Sequence, residues 1–218
     1  IDDSAQTLFS SPEMNSQQGK AHIAVYSFEE KKHITTGSEG GMVVTDNEEL
    51  AEKIRKFAGI GYKHLTADAG RTSLAKSTAQ RPNYIRFDTI GFNYRMNEIQ
   101  AALGLSQLKR LERIVERRNI IYKKYKKLLC NAPLKLIKIP QNAHSSIHLV
   151  IVKLDNIDKY EYIFNEMRAK GIGVQLHYWP IHLQPFYRRL GFKRGYLPNS
   201  EDYSESCFSI PLHFETIV

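Results

Sequence analysis

Cysteine and tryptophan are scarce in this sequence, which holds two cysteines, Cys130 and Cys207, and one tryptophan among 218 residues. Two cysteines cannot form the multi-disulfide framework of small secreted domains, and free thiols suit a reducing compartment. No apolar run approaches the ~20 residues that a membrane-spanning helix needs. The chain does not open with a basic segment followed by an apolar one, as a signal peptide does. We therefore expect a soluble, cytoplasmic protein.

The remaining composition is that of a globular protein, with 42% apolar and 25% charged residues and a net charge of +8. Much of this charge lies in Lys109–Leu129, where apolar residues also recur at steps of three and four. That spacing is typical of an amphipathic helix with a solvated basic face. The alternative is a polyanion-binding surface, which would depend on Lys123, Lys124, Lys126 and Lys127.

The first half of the chain predicts two strands and a helix. His22–Phe28 and Gly41–Asp46 are rich in β-branched and aromatic residues, which favours strands. The helix that follows has cap residues at Asp46 and Asn47, acidic residues in its first turn, and glycines after its end. Residues 61–90 are polar and show no sustained period, which is typical of a functional or disordered loop.

The second half predicts a small α+β domain. We predict one long helix, straight or bent, at residues 96–129 and a strand at Ser146–Leu154. A helix beginning near Asp158 ends in glycine, and "VQLHYWP" is the next predicted strand. A short helix, "LQPFYRRLGF", and a last strand, "SCFSIPLHF", complete the pattern.

The stretch "YSFEEKKHITTGSEGG", Tyr26 to Gly41, places adjacent lysines in a glycine-rich turn between two predicted strands. A lysine in such a turn can form a Schiff base when its free amine is available. A pyridoxal phosphate enzyme also needs an acid for the pyridinium nitrogen and donors for the phosphate. "DDSAQ" could supply the acid, and Ser27 or Asn93 the donors. Spacing alone does not show that one of these lysines binds a cofactor, because lysines in loops are common.

The order "DDSAQ … YSFEEKKHITTGSEGGMVVTD … GFNYRMNEIQAALGLSQLKRL … GVQLHYWPIHLQPFYRRLGF" resembles the DegT/DnrJ/EryC1/StrS family. Its members are pyridoxal phosphate-dependent aminotransferases that act on nucleotide-linked keto-sugars. The resemblance implies an α/β fold of the aspartate-aminotransferase type (fold type I). It further implies part of the cofactor-binding large domain at 1–95, a connecting helix at 96–129 and a small, incomplete C-terminal domain at 130–218.

Carried over residue by residue, the resemblance implies the cofactor site. Lys32, five residues after Ser27, matches the Schiff-base lysine. Asp3 matches the acid that pairs with the pyridine nitrogen, and Gln6 the residue near the ring hydroxyl. Ser27 matches a phosphate ligand. Asn93 matches the asparagine that reaches the phosphate of a partner subunit, so a homodimer is implied.

The resemblance places three further residues at the border of the sugar pocket: His177, Tyr178 and His182. The two histidines could instead simply pack. No cysteine or carboxylate joins them at ligand spacing, so we predict no metal site. Four basic residues of the long loop could meet a nucleotide diphosphate or be solvated: Arg71, Lys76, Arg81 and Arg86.

The sequence departs from the family pattern at three positions. Glu29 stands where histidine is common, Ser38 is an extra residue, and His33 follows the lysine directly. One branch of the family replaces the lysine by histidine and is a sugar dehydratase. Because Lys32 holds that place here, transamination is favoured over dehydration.

The family normally begins about half a domain earlier and ends with another helix, so we expect this chain to be a fragment that binds the cofactor poorly alone. The predicted function is transfer of an amino group, with glutamate as expected donor, to a nucleotide-linked keto-deoxysugar. Such products feed polysaccharide, lipopolysaccharide, glycoconjugate or antibiotic biosynthesis. The alternatives are a non-catalytic remnant of such an enzyme, the dehydratase, and the polyanion-binding protein.

Overall fold

The computed structural model of the protein describes residues 1–8, 22–62, 82, 83, 85, 87, 89–141 and 145–212. The chain divides into two compact units, Ile1–Leu111 and Glu112–Val218. This division falls inside the predicted connecting helix, and the domain boundaries given above stay a prediction. Among the described residues, no helix combines the length and the apolar character that crossing a membrane requires.

The first unit contains a three-stranded sheet in the order β1–β2–β3, formed by Asp2–Asp3, Ala24–Ser27 and Gly41–Val44. Strand β1 pairs with β2 in parallel, with Asp3 opposite Val25. Strand β3 returns antiparallel to β2, with Ser27 opposite Gly41. The residues between Ser27 and Gly41 therefore form the connection of a β-hairpin.

Two helices belong to this unit. Helix α1, Glu48–Ala58, begins where the Asn47 side chain accepts the backbone N–H of Leu50. Helix α2, Glu98–Leu108, begins with a capping box in which Asn97 and Gln100 satisfy each other's backbone N–H groups. Asn47 confirms the predicted cap at the first of these helices.

The predicted helix at 96–129 is two helices. After α2 the chain turns at Lys109–Arg110, and α3 spans Leu111–Leu128. The turn has a packing reason within each unit. Gly104 of α2 lies so close to Thr36 that a Cβ there would be 2.9 Å from the threonine methyl. The apolar face of α3 instead packs, through Tyr122 and Tyr125, on the core of the second unit.

The second unit is built on an antiparallel sheet in the order β4–β5–β6, formed by Leu134–Leu136, Val150–Leu154 and Cys207–Ile210. A 3₁₀ turn at Ile157–Lys159 leads into helix α4, Tyr160–Ala169. A second 3₁₀ turn at Ile181–Leu183 precedes α5, Pro185–Arg189, and α6, Pro198–Ser206. Helix α6 runs directly into β6. The core contains the side chains of Ile147, Val150, Val152, Leu154, Val174, Phe208 and Ile210.

The predicted strand "VQLHYWP" is wrong beyond its start. Only Gln175 joins the sheet, through a two-hydrogen-bond bridge with Ser209. Pro180 has no N–H to donate to a ladder, and the 3₁₀ turn begins at the next residue. The chain therefore leaves the sheet edge after Gln175.

Candidate functional site

Strands β1 and β2 end at the same edge of the sheet, and the predicted site residues Asp3 and Ser27 stand at those ends. Because the strands are parallel, their carboxyl ends point the same way. The Ser4 N–H continues the pairing with a bond of 2.9 Å to the Val25 carbonyl. Open α/β sheets bind their ligands beyond such strand ends.

The side chains at this edge offer one acceptor and one donor to a ligand. Asp3 is exposed, and its Oδ1 accepts the Ala5 N–H at 3.1 Å, which fixes the carboxylate against the turn after β1. Ser27 Oγ accepts the Glu29 N–H at 3.3 Å, so its hydroxyl hydrogen is left to donate elsewhere. Gln6 is exposed in the same turn as Ala5.

The turn after Ser27 fixes the backbone at Lys32 and at the two residues before it. The Lys32 N–H donates to the Glu29 carbonyl at 3.0 Å, and the Lys31 N–H donates to the Glu29 carboxylate at 3.1 Å. The Glu30 N–H donates to the Ser38 carbonyl at 2.9 Å, which joins the two sides of the hairpin connection. Lys31 is exposed whereas Lys32 is half-buried. The two adjacent lysines therefore occupy different environments, and Lys32 is the more enclosed.

Tight packing at Thr36 explains the glycines of the turn. Thr36 is buried, and its Oγ1 donates to the Glu39 carbonyl at 2.9 Å. A Cβ at Gly40 would lie 2.0 Å from that oxygen, which no side chain allows. The extra residue of the sequence, Ser38, has a φ of +134°, and Gly37 before it has a φ of +92°. The insertion is thus accommodated by left-handed backbone at the far end of the turn.

Asn93 lies in a different part of the first unit. It forms a β-bridge with Gly59 at the end of α1, and its Oδ1 accepts Arg95 Nε at 3.0 Å. It lines a cavity of about 730 Å³ between the sheet and helix α1, whose lining does not include Ser27 or Lys32. Within one chain, Asn93 therefore does not share this cavity with Ser27 or Lys32.

His177 and Tyr178 lie in the second unit. His177 Nε2 is hydrogen-bonded to Ser209 Oγ at 2.7 Å, while its Nδ1 is buried without a hydrogen-bond partner. Burial lowers the pKa of this imidazole from its ordinary value of 6.5. Tyr178 beside it is 67% exposed, which leaves its ring available to a ligand.

His182 is buried, at 5% exposure, against a residue that the sequence analysis did not single out. Its Nε2 donates to Glu201 Oε1 at 2.8 Å, and Glu201 is itself only 6% exposed. The same carboxylate accepts the Gly195 N–H at 2.8 Å and 3.1 Å. The hydrogen bond from His182 holds the pKa of Glu201 below its ordinary value of 4.5. Nothing in the sequence pattern marks Glu201, since only the folded chain brings it to His182.

These two pKa shifts predict that the second unit loses stability in acid. His177 in the folded chain binds a proton less readily than in the unfolded chain, so the free energy of unfolding falls as the pH drops below about 6.5. Glu201 adds a second loss below about pH 4.5, because its protonation ends the charged hydrogen bond to His182. Denaturant unfolding followed by tryptophan fluorescence between pH 8 and pH 3 measures both losses of stability. His177→Gln should remove the loss near pH 6, and an unchanged profile in that variant would contradict the assignment.

The roles predicted for the eight site residues stay predictions. Arg71, Lys76, Arg81 and Arg86 lie outside the described residues. The residues at and just after the carboxyl ends of β1 and β2 have the chemical groups that binding of pyridoxal phosphate requires. A carboxylate matches a protonated ring nitrogen, a free hydroxyl hydrogen matches a phosphate oxygen, and a primary amine matches an aldehyde carbon.

Comparison with known proteins agrees with this fit. The family model of the DegT/DnrJ/EryC1/StrS aminotransferases matches residues 1–216. An uncharacterized protein of Methanocaldococcus jannaschii, MJ1066, is 36% identical over 194 residues, 86% of this chain and 48% of that protein.

Solved structures show the same relation. Helicobacter pylori PseC, an aminotransferase involved in the biosynthesis of pseudoaminic acid, superposes with a TM-score of 0.76 and 31% identity over 91% of this chain and 50% of its own. The aminotransferase TlmJ of Streptoalloteichus hindustanus gives a TM-score of 0.73 and 26% identity over 89% of this chain and 48% of its own. This chain thus spans about half the length of each protein.

These matches confirm the predicted fold, a partial fold type I α/β architecture. The family is one of pyridoxal phosphate-dependent sugar aminotransferases. The chain belongs to the DegT/DnrJ/EryC1/StrS aminotransferase family.

Proposed function

We propose that the protein acts as a pyridoxal phosphate-dependent aminotransferase that moves an amino group from glutamate to a nucleotide-linked keto-deoxysugar. The observation that carries this proposal is the position of Lys32. It is half-buried in a hydrogen-bonded turn that starts at the carboxyl end of β2, next to the strand that ends in Asp3. The amino-sugar product would serve polysaccharide, lipopolysaccharide, glycoconjugate or antibiotic biosynthesis.

Four side chains would hold the cofactor. The Asp3 carboxylate would accept a hydrogen bond from the ring N–H and keep that nitrogen protonated. Ser27 Oγ would donate to the phosphate, because phosphate oxygens accept hydrogen bonds and the Glu29 N–H leaves the Ser27 hydroxyl hydrogen free. Gln6 would lie near the ring hydroxyl. Asn93 would reach the phosphate of a partner subunit, which makes the working enzyme a homodimer in the cytoplasm.

Lys32 would carry the proton transfer. Pyridoxal phosphate supplies an electron sink that stabilises negative charge at the donor's α-carbon. The free Nζ of Lys32 would remove the proton from that carbon as general base and return a proton as general acid. Its backbone bond to Glu29 would keep the side chain within reach of the ring. His177 and Tyr178 would border the sugar, with His182 behind them.

Product analysis separates this function from its alternatives. The chain, supplied with pyridoxal phosphate, glutamate and a nucleotide-linked keto-sugar, should release 2-oxoglutarate in equal amount to an amino-sugar that gains nitrogen in place of the keto oxygen. A dehydratase would yield a sugar that loses water and gains no nitrogen. A chain that yields neither product, with cofactor and substrates in excess, would contradict the proposal and favour the non-catalytic remnant.

A further inference from the structure

The segment from Gln175 to His182 is attached at both ends to the same continuous piece of chain, helix α6 and strand β6. At its start, Gln175 exchanges two backbone hydrogen bonds with Ser209, at 3.1 Å and 2.9 Å. At its end, His182 donates to Glu201. Because α6 runs directly into β6, both attachments are made to one continuous segment of the chain.

Each attachment includes a side-chain hydrogen bond with at least one buried partner. At the first, His177 Nε2 and Ser209 Oγ lie 2.7 Å apart, and Ser209 is buried. At the second, both His182 and Glu201 are buried, and the carboxylate also holds the Gly195 N–H. Buried hydrogen bonds of this kind fix a geometry, since a broken one leaves a desolvated polar atom without a partner.

Between the attachments stand two exposed aromatic side chains. Tyr178 is 67% exposed and Trp179 is 50% exposed, whereas Pro180 after them is buried. Aromatic rings lose little conformational entropy on binding and stack well on apolar faces of a ligand. A pair of such rings held from both sides has the form of a pre-organised binding element.

We propose that Glu201 and Ser209 are positioning residues that hold the Tyr178–Trp179 tip in the orientation in which it contacts the sugar ring of the substrate. The substrate half of this proposal rests on the proposed function. The claim that Glu201 and Ser209 hold Tyr178 and Trp179 in place does not depend on that function, because it concerns the protein without any ligand. Trp179 is thereby assigned as a sugar-contacting residue beside His177 and Tyr178.

The single tryptophan of the chain makes the tip directly observable. Fluorescence anisotropy decay and acrylamide quenching of Trp179 should be measured on the ligand-free chain, well below its unfolding midpoint. Glu201→Gln and Ser209→Ala should each increase the amplitude of fast Trp179 motion and the quenching constant. The midpoint of unfolding is measured on every variant, so that a loss of overall structure is recognised.

Two matched variants control for the loss of a polar group in the same element. Asp202 is the exposed neighbour of Glu201 on α6, and Asp202→Asn removes its ion pair with Lys153. Ser206→Ala removes another buried hydroxyl, one that donates to the Asp202 carbonyl at 2.6 Å. Both should leave Trp179 motion unchanged. Equal motion of Trp179 in all four variants would contradict the claim that Glu201 and Ser209 hold it in place.

Steady-state kinetics test separately whether Tyr178 and Trp179 contact the sugar. In turnover assays, Glu201→Gln and Trp179→Ala should raise KM for the keto-sugar while the KM for glutamate stays the same. A change confined to kcat, or to the amino donor, would overturn the contact with the sugar. If the chain shows no turnover, the proposed function fails, and the ligand-free fluorescence still decides the attachment.

Discussion

Replacing Lys32 by alanine should abolish amino transfer, with a loss of at least about 10²–10⁴-fold in rate, the usual contribution of a positioned proton-transfer group. The reason is that the free amine of Lys32 would move the proton at the donor's α-carbon. The measurement is the initial rate of 2-oxoglutarate release from glutamate. A small added amine such as methylamine should partly restore the rate, because it supplies the missing base.

Lys31→Ala is the matched control, since it removes the neighbouring lysine in the same turn. Lys31 is exposed, and its backbone N–H donates to the Glu29 carboxylate, a bond that alanine retains. The Lys31 variant should keep its activity and its fold. If Lys31→Ala loses the activity and Lys32→Ala keeps it, the lysine assignment is reversed.

Phe208→Ala should have the largest effect on stability, lowering the free energy of unfolding of the second unit by about 3–5 kcal/mol. Phe208 is 2% exposed in β6 and meets two rings edge-on, Tyr160 at 5.8 Å and Phe164 at 5.9 Å between centroids. Alanine would remove these contacts and leave a cavity in the core. Guanidinium unfolding followed by fluorescence and circular dichroism measures the loss.

Tyr162→Ala is the comparison for this variant. Tyr162 is an aromatic residue of the same helix that packs on Phe208, but its side chain is mostly exposed. Its removal should change the free energy of unfolding by no more than about 0.5 kcal/mol. Equal losses for both variants would mean that Phe208 is not central to the core.

Local signals predicted the first unit well. Helix α1 carries its own start signal, because Asn47 caps it through a side-chain bond to the next turn. The strands on either side of the lysine turn were marked by β-branched and aromatic residues. The turn itself was recognised by its lysine and glycines, and the structure gives those glycines a reason in the close approach of Gly40 to Thr36.

Several features of the fold depend on tertiary contacts and could not be predicted from the sequence. Helix α6 has a polar sequence, Pro198–Ser206, with proline at its start as its main signal, so its presence was not predicted. Glu201 within it has no motif around it, and its importance comes from His182 and Gly195, which are remote in sequence. Likewise, the split of the long helix at Lys109–Arg110 follows from the different surfaces that its two halves cover.

Reduction of the protein with borohydride in the presence of pyridoxal phosphate, followed by peptide mass analysis, identifies the lysine that binds the cofactor. We expect a Schiff-base absorbance band that disappears on reduction and a pyridoxyl group fixed on Lys32, with none on Lys31. The Lys32→Ala variant should show neither. A pyridoxyl group on Lys31, or one spread at random over exposed lysines, would contradict the claim that Lys32 binds the cofactor.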